Sequence, residues 1–156
     1  MTAVLSSESV KVVCLKEGAM LHSLVKDNVE YLWQGDKNYW GGQAPVCFPI
    51  TGVLRNSRSA AFGRECCMKR HGIARINPFE IKEQGGNFVC FVQNSSGETK
   101  KAFPFDYSLE IRYTVLQNTV TTRYTVKNTG TDKLPFVIGG HPAFNCPMVE
   151  GESFED

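Results

Sequence analysis

The sequence lacks an excess of charge of either sign. Its 156 residues carry 17 Lys and Arg against 16 Asp and Glu, a formal net charge of +1. Proteins that bind nucleic acid or anionic membranes usually concentrate positive charge on one surface. The balance therefore predicts a neutral partner and argues against a nucleic acid or a membrane as the partner.

Long apolar runs are also missing. No stretch reaches the roughly 18 apolar residues that a membrane span requires. The N-terminus, "MTAVLSSESVKVV", has no basic start followed by an apolar core of the kind that marks a secretory signal. The sequence predicts a cytoplasmic protein.

Signatures of metal and nucleotide cofactors are absent as well. The six cysteines form no CxxC pair and no Cys/His spacing of a zinc site. The glycine pairs belong to no GxGxxG or GK[ST] phosphate loop. We therefore expect no metal and no cofactor, and we interpret most of the cysteines, which lie in apolar stretches such as "FVCFV", as small buried hydrophobes.

What the sequence does have is period-2 alternation. Leu109, Ile111, Tyr113 and Val115 alternate with polar residues, and after "LQN" the pattern resumes from Val120. Such alternation predicts two half-buried strands joined as a hairpin. Further strands are predicted in "VKVVCL", "AMLHSLV", "EYLW", "NFVCFVQN" and, after the turn "NTGTD", in "LPFVI". No amphipathic helix is evident, so we predict one all-β domain, a sandwich or a barrel.

Two of the three histidines lie beside glycines that fix the backbone. His71 precedes Gly72 in "HGIAR", and His141 lies between a glycine pair and a proline in "VIGGHPAFN". A histidine held in this way suits acid/base chemistry on a neutral polar substrate, because its side chain titrates near physiological pH. His22, which has no such neighbours, is interpreted as structural or solvent-facing.

A long loop from Tyr31 to Asn56 contains both tryptophans and has two interpretations. Aromatic faces beside amide and guanidinium donors suit a sugar, whose C–H faces stack on rings while its hydroxyls need hydrogen bonds. Tryptophans that simply pack in the core of a long loop are the other interpretation.

Several motifs, in order along the chain, carry a family resemblance. "KEGAMLHSL", "YLWQGDKNYWGGQAPVCFPITGVLRN", "HGIAR", "LEIRYTVLQNTVTTRYTVKNTG" and "GGHPAFNCP" together resemble the aldose 1-epimerase (galactose mutarotase-like) family, in particular its LacX-like branch. Each motif alone is weakly specific, whereas the ordered set is strongly so.

The resemblance implies a β-supersandwich that binds an aldohexose, free or phosphorylated, and interconverts its α and β anomers without cofactor or metal. In this family a histidine is the general acid on the ring oxygen, and a glutamate removes the proton of the C1 hydroxyl. His141 matches the general acid and His71 the second active-site histidine. Arg55 and Asn56 fall where the family places sugar-contacting residues, and Arg75 is a further candidate contact.

The resemblance also implies that residues 1–156 are the N-terminal portion of a single domain. Family members are about twice as long, and the catalytic glutamate belongs to the half that this sequence does not contain. We do not assign that role to Glu150, Glu152 or Glu155, which lie in an acidic end typical of a solvated terminus. Uncovered strand edges would favour self-association, which a sharp monomer peak with cooperative melting would contradict.

Three functional hypotheses remain open at the level of sequence. The parent protein is a mutarotase-like enzyme, or the domain binds carbohydrate without turnover, or the chain is an inactive truncated product. A free hexose is favoured over a phosphorylated one, because the basic residues between Arg55 and Arg75 are better explained as a solvated surface.

Overall fold

The computed structural model describes residues 2–149, 151–153 and 155. In these residues the chain forms twelve strands, one short α-helix and two short 3-10 helices. In chain order the strands are β1 (Thr2–Ser6), β2 (Val10–Leu15), β3 (Leu21–Lys26), β4 (Val29–Glu30), β5 (Val46–Cys47), β6 (Arg58–Ala61), β7 (Arg64–Cys67), β8 (Glu80–Gln84), β9 (Phe88–Asn94), β10 (Tyr107–Leu116), β11 (Thr119–Asn128) and β12 (Gly139–Gly140). The helix α1 spans Gly97–Ala102, and the 3-10 helices span Arg55–Ser57 and Ala74–Ile76.

Two antiparallel sheets of four strands form the body of the molecule. The first has the order β1-β2-β3-β4 and the second the order β11-β10-β9-β8. The predicted hairpin is confirmed, since β10 and β11 pair antiparallel with Leu109 opposite Val126 and Val115 opposite Val120. The pairs β5-β12 and β6-β7 form two small additional sheets.

The hydrophobic core lies between the two large sheets. On β10 the alternating residues Leu109, Ile111 and Tyr113 are buried, and Val12 and Cys14 of β2 belong to the same core cluster. Tyr113 ties the two layers together, because its hydroxyl donates a hydrogen bond to the backbone oxygen of Ala19 at 2.9 Å. The alternation read from the sequence therefore corresponds to the inward face of a β-sandwich.

Two of the predicted strands are wrong in extent. Residues 134–138, "LPFVI", form no strand: the Val137 N–H donates to the Pro49 oxygen at 2.9 Å, but a strand ladder begins only at β12. Pro135 has no N–H to donate to a ladder, and Phe136 and Val137 are exposed, so this apolar run lacks the buried face that would make it a strand. In "EYLW" the strand β4 ends at Glu30, and Leu32 forms only an isolated bridge with Phe144.

The helix α1 was not predicted. Ser96 caps it, accepting a hydrogen bond from the Thr99 backbone N–H, while the Thr99 hydroxyl accepts one from the Ser96 backbone N–H. Six residues are too few to show a helical apolar period, so only this reciprocal cap identifies the helix.

The expectation that most of the cysteines are buried is confirmed. Cys14, Cys47, Cys66 and Cys90 are buried, whereas Cys67 and Cys146 are exposed, and all six are free thiols. Burial raises the pKa of the Cys14 thiol to about 12, which keeps it a neutral, apolar side chain. In the described part of the chain, no group of His, Cys, Asp and Glu is arranged to hold a metal ion. Of the helices in those residues, none is long and apolar enough to cross a membrane.

Candidate active site

An open cavity of about 660 Å³ lies where three loop segments meet. The first segment follows β4, the second joins β7 to β8, and the third follows β12. Residues of all three segments line the cavity, together with Gly18 and Met20 of the β2–β3 turn. The residues from the three segments are Trp40, Gly41, Gly42, Gln43, Pro45, Arg70, His71, Arg75 and His141. A cavity of this size accommodates a small polar ligand such as a monosaccharide.

The backbone around His71 is held in an uncommon conformation. His71 has φ +65° and Gly72 has φ +76°, both in the left-handed region. A side chain at Gly72 would overlap the backbone of Phe48, so only glycine permits this close approach. The backbone N–H of His71 donates to the Gly52 oxygen at 2.8 Å. These constraints direct the imidazole into the cavity wall.

The protonation state of His71 follows from its contacts. The backbone N–H of Gly52 donates to Nδ1 of His71 at 3.1 Å, so Nδ1 is an acceptor and the proton of the neutral ring is on Nε2. Partial burial, and then the charges of His141, Arg75 and Arg70, lower the pKa of His71 below its usual value. At neutral pH His71 is therefore a neutral hydrogen-bond donor through Nε2.

His141 reaches the same cavity from a different part of the chain. The strand β12 pairs with β5, and the backbone N–H of His141 donates to the Pro45 oxygen at 3.1 Å. A Cβ at Gly140 would lie 2.6 Å from the Tyr124 hydroxyl, so glycine allows β12 to lie against that side chain. The His141 ring centroid lies 5.2 Å from that of His71. The two predicted catalytic histidines are thus adjacent, although 70 residues separate them.

The two tryptophans of the loop from Tyr31 to Asn56 lie in different surroundings. Trp33 is half-buried and donates through Nε1 to the backbone oxygen of Trp40 at 2.7 Å, which stabilises the loop. Trp40 lines the cavity, with its ring centroid 5.3 Å from that of His141. Gly42 packs directly beneath the Trp40 ring, where a Cβ would lie 2.5 Å away. Trp33 therefore packs within the loop, whereas Trp40 lines the cavity.

The three remaining candidate residues separate into two places. Arg75 lines the cavity, and its Nε donates to the backbone oxygen of Arg70 at 3.0 Å. Arg55 and Asn56 are exposed and do not belong to the cavity lining in the part of the chain that is described. Their contact with a sugar remains a prediction, whereas Arg70, which the sequence interpretation left on the solvated surface, joins the lining.

The full chain, residues 1–156, matches the family model described as aldose 1-epimerase. The chain belongs to the aldose 1-epimerase family. The resemblance inferred from the ordered motifs is therefore confirmed.

Individual members of the family are similar to this chain in sequence and in structure. It is 39% identical over 163 aligned positions to the plasmid-encoded protein LacX of Lactococcus lactis, an alignment covering 100% of this chain and 54% of that protein. Among solved structures, a galactose mutarotase related enzyme from Lactobacillus acidophilus superposes with a TM-score of 0.94 at 31% identity, covering 98% of this chain and 52% of that one. A galactose mutarotase-like protein from Lactobacillus casei gives 0.90 at 35%, covering 93% and 50%.

These likenesses confirm the predicted β-sandwich of the galactose mutarotase-like type. The chain spans about half the length of the relatives it matches.

Gln43 lines the cavity but was not predicted to be a site residue. Gln43 is only 6% exposed, and its Oε1 lies 2.7 Å from Nδ1 of His22. His22 is half-buried behind the cavity, which favours the structural of its two interpretations. The available signal was a polar residue directly before the apolar run "APVCFPI", since buried polar side chains normally have a specific partner.

Proposed function

We propose that this chain supplies one part of a mutarotase-like active site that interconverts the α and β anomers of an aldohexose. The observation that carries the proposal is the pair of histidine rings, with centroids 5.2 Å apart, in one open cavity. Family membership supports a reaction of this class. A sugar bound in this cavity against the exposed edges of the Trp40, His71 and His141 rings has its ring oxygen near the two imidazoles.

In this proposal His141 is the general acid. It donates a proton to the ring oxygen while a base takes the proton of the C1 hydroxyl. The bond between C1 and the ring oxygen then breaks, and the sugar opens to the aldehyde. Rotation about C1–C2 and the reverse proton transfers close the ring on the other face. His71, neutral and donating through Nε2, hydrogen-bonds the sugar near the reacting oxygen, and Arg75 is a further contact. General acid assistance typically contributes about 10² to 10⁴-fold.

The base in this proposal is a glutamate outside residues 1–156. The cavity lining, in the described residues, includes two arginines and two histidines and no carboxylate. We therefore propose that this chain binds the sugar but does not accelerate anomer exchange by itself.

Exchange NMR on the α and β anomers of glucose and galactose tests the proposal. In a full-length relative carrying this N-terminal sequence, His141→Ala should abolish catalysed exchange and largely keep sugar binding. The control is Gln84→Ala, which truncates an exposed side chain of β8 that does not line the cavity. Exchange that survives His141→Ala would contradict the role of general acid, and exchange catalysed by residues 1–156 alone would reveal a base within them.

The positive charge of the cavity favours a second candidate substrate, a phosphorylated hexose. Arg70 and Arg75 both line it, and clustered guanidinium groups bind phosphate through paired donors. Free hexose remains our first proposal, because Arg75 already spends its Nε–H on the backbone of Arg70. Competition between galactose and hexose 6-phosphates, repeated at rising salt, distinguishes the two, since only the phosphate contact should weaken with salt.

A domain that binds sugar without turnover is the alternative function. It is supported by an aromatic face and several hydrogen-bond donors in a cavity that offers no carboxylate from the described residues. Sugar binding by the full-length relative, without catalysed exchange at any pH, would select it.

We also propose that the isolated chain self-associates. In the described residues β11 is the outer strand of its sheet, and its inward face is only half-buried, from Val120 to Val126. An exposed edge of ten residues can pair with a second copy. Light scattering during size-exclusion chromatography tests this, and a concentration-independent monomer would contradict it.

A further inference from the structure

Gln43 presents an unusual polar side chain at the cavity wall. Its Oε1 contacts His22, but its Nε2 is buried and has no hydrogen-bond partner among the described residues. Buried amide groups are nearly always satisfied, because an unpaired donor loses its hydration without compensation. Because Gln43 lines the cavity, a small rotation of its side chain on ligand binding would expose Nε2, which is shut off from solvent in the unliganded chain, and give it a partner.

The backbone of Gln43 is tied to the segment that carries His141. The backbone oxygen of Gln43 accepts a hydrogen bond from the Ala143 N–H at 2.9 Å. Two residues earlier in the same segment, the His141 N–H donates to the backbone oxygen of Pro45. Gln43 and His141 consequently lie on two paired segments of one wall. A ligand bound against His141 is within the same cavity as the Gln43 amide.

His22 fixes the orientation of the amide from behind. With Oε1 at 2.7 Å from Nδ1, the His22 ring donates its Nδ1 proton to Gln43 and directs Nε2 away from itself. The reverse orientation of the amide would pair Nε2 with His22 and leave Oε1 free instead. In both orientations one amide atom is left for a ligand, and a hydroxyl, which both donates and accepts, suits either.

We propose that Gln43 is a ligand-binding residue that hydrogen-bonds one hydroxyl of the bound sugar, with His22 as its positioning residue. The proposal rests on the proposed function, since it takes a sugar as the occupant of the cavity. It adds a determinant of specificity, because a site with a buried polar group discriminates against a ligand that lacks the matching hydroxyl.

The first test is binding of galactose and glucose to the 156-residue chain, followed by ligand-observed NMR. Gln43→Met should weaken the affinity for the preferred sugar about 3- to 10-fold, the range expected for one neutral hydrogen bond. Gln84→Met, the same substitution on the exposed strand β8, should leave the affinity unchanged. His22→Ala should weaken binding, and His22→Asn, whose amide can replace the Nδ1 donor, should restore most of it.

Monodeoxy sugars provide the readout that a merely structural role would not change. The original chain should bind one deoxy sugar less tightly than its parent, and Gln43→Met should no longer distinguish that pair. The side-chain amide signals of Gln43, assigned by their loss in Gln43→Met, should shift when sugar is added. Amide spectra of the backbone establish that each variant is folded.

The outcomes separate this inference from the proposed function. If the chain binds sugar and Gln43→Met binds it equally well, or weakens every deoxy sugar alike, the role of Gln43 is overturned while the proposed function stands. If the chain binds no sugar at all, the function proposed for it fails, and the role of Gln43 as a sugar ligand fails with it.

Discussion

The strand-built core and the loop-built cavity position their side chains by different physical means. On β10, Ile111 and its neighbours are fixed by burial, and the exposed fraction of the Ile111 side chain is 0%. Around the cavity, His71 and His141 are fixed by backbone hydrogen bonds and by glycines that admit close approach. The comparison predicts that a loop holds a side chain as firmly as a core does when its backbone donors and acceptors are paired.

The largest effect is expected from the core side of the comparison. Ile111→Ala should lower the free energy of unfolding by about 2 to 5 kcal/mol, because it removes buried methyl groups and leaves a cavity. Ile76→Ala is the matched control, since Ile76 is 57% exposed, and it should cost less than about 1 kcal/mol. Urea unfolding followed by circular dichroism measures both, and equal losses would contradict the assigned core.

A similar loss of unfolding free energy on substituting a glycine of the cavity loop would show that the cavity is as constrained as the core. Gly72→Ala should cost about 3 kcal/mol, because it combines a left-handed φ with overlap of the Phe48 backbone. Gly63→Ala has a left-handed φ, +76°, but open space around it, so about 1 kcal/mol is expected. Gly86→Ala has neither constraint and should be near neutral. A tolerant Gly72 in the same urea series would break the comparison.

The smallest expected effect is a change in the pKa of His71, which reports on the charges around the cavity. The pKa of His71 is lowered from about 6.5 by burial and by the charges of His141, Arg75 and Arg70. Arg75→Gln should therefore raise the pKa of His71, as followed by the ring proton signals in an NMR titration. Arg123→Gln, on the exposed face of β11, should leave it unchanged.

The sign of the accompanying stability change follows from linkage. Because the pKa of His71 is lower in the folded than in the unfolded chain, its neutral form contributes stability above about pH 6.5. That contribution is lost as the pH falls through the lowered pKa. Arg75→Gln should make this loss on acidification smaller, and a larger loss would contradict the assigned charge interaction.

Much of the fold could be predicted from the sequence, because alternation is a local signal. The β10–β11 hairpin and the strand β2 were placed correctly, since in each the more buried residues repeat every second position. The strands β3 and β9 were also placed correctly, although β3 is half-buried throughout and β9 is buried on both faces, so short apolar runs between turns identified them. "LPFVI" was placed wrongly because an apolar run does not reveal whether its backbone is paired. The helix α1 was missed because its cap, rather than its apolar pattern, defines it.

The candidate site was predictable to the extent that it rests on motifs. His71, His141 and Arg75 were named from glycine-marked turns and from the family resemblance, and all three line the cavity. Arg55 and Asn56 were named from the family resemblance and lie outside its lining in the described residues. A motif gives the type and order of residues, whereas the direction of a loop depends on what packs beneath it.

By itself the sequence determined the β class of the fold and the family, and it singled out two candidate histidines, because these depend on local periodicity and ordered motifs. Only the tertiary structure decided that the histidines are adjacent, that Trp40 rather than Trp33 faces the cavity, and that Gln43 has an unpaired amide against His22. The physical reason is that each of these facts joins residues from separate loops. Their meeting is fixed by the pairing of β5 with β12 and by the packing of the two sheets, which no local pattern records.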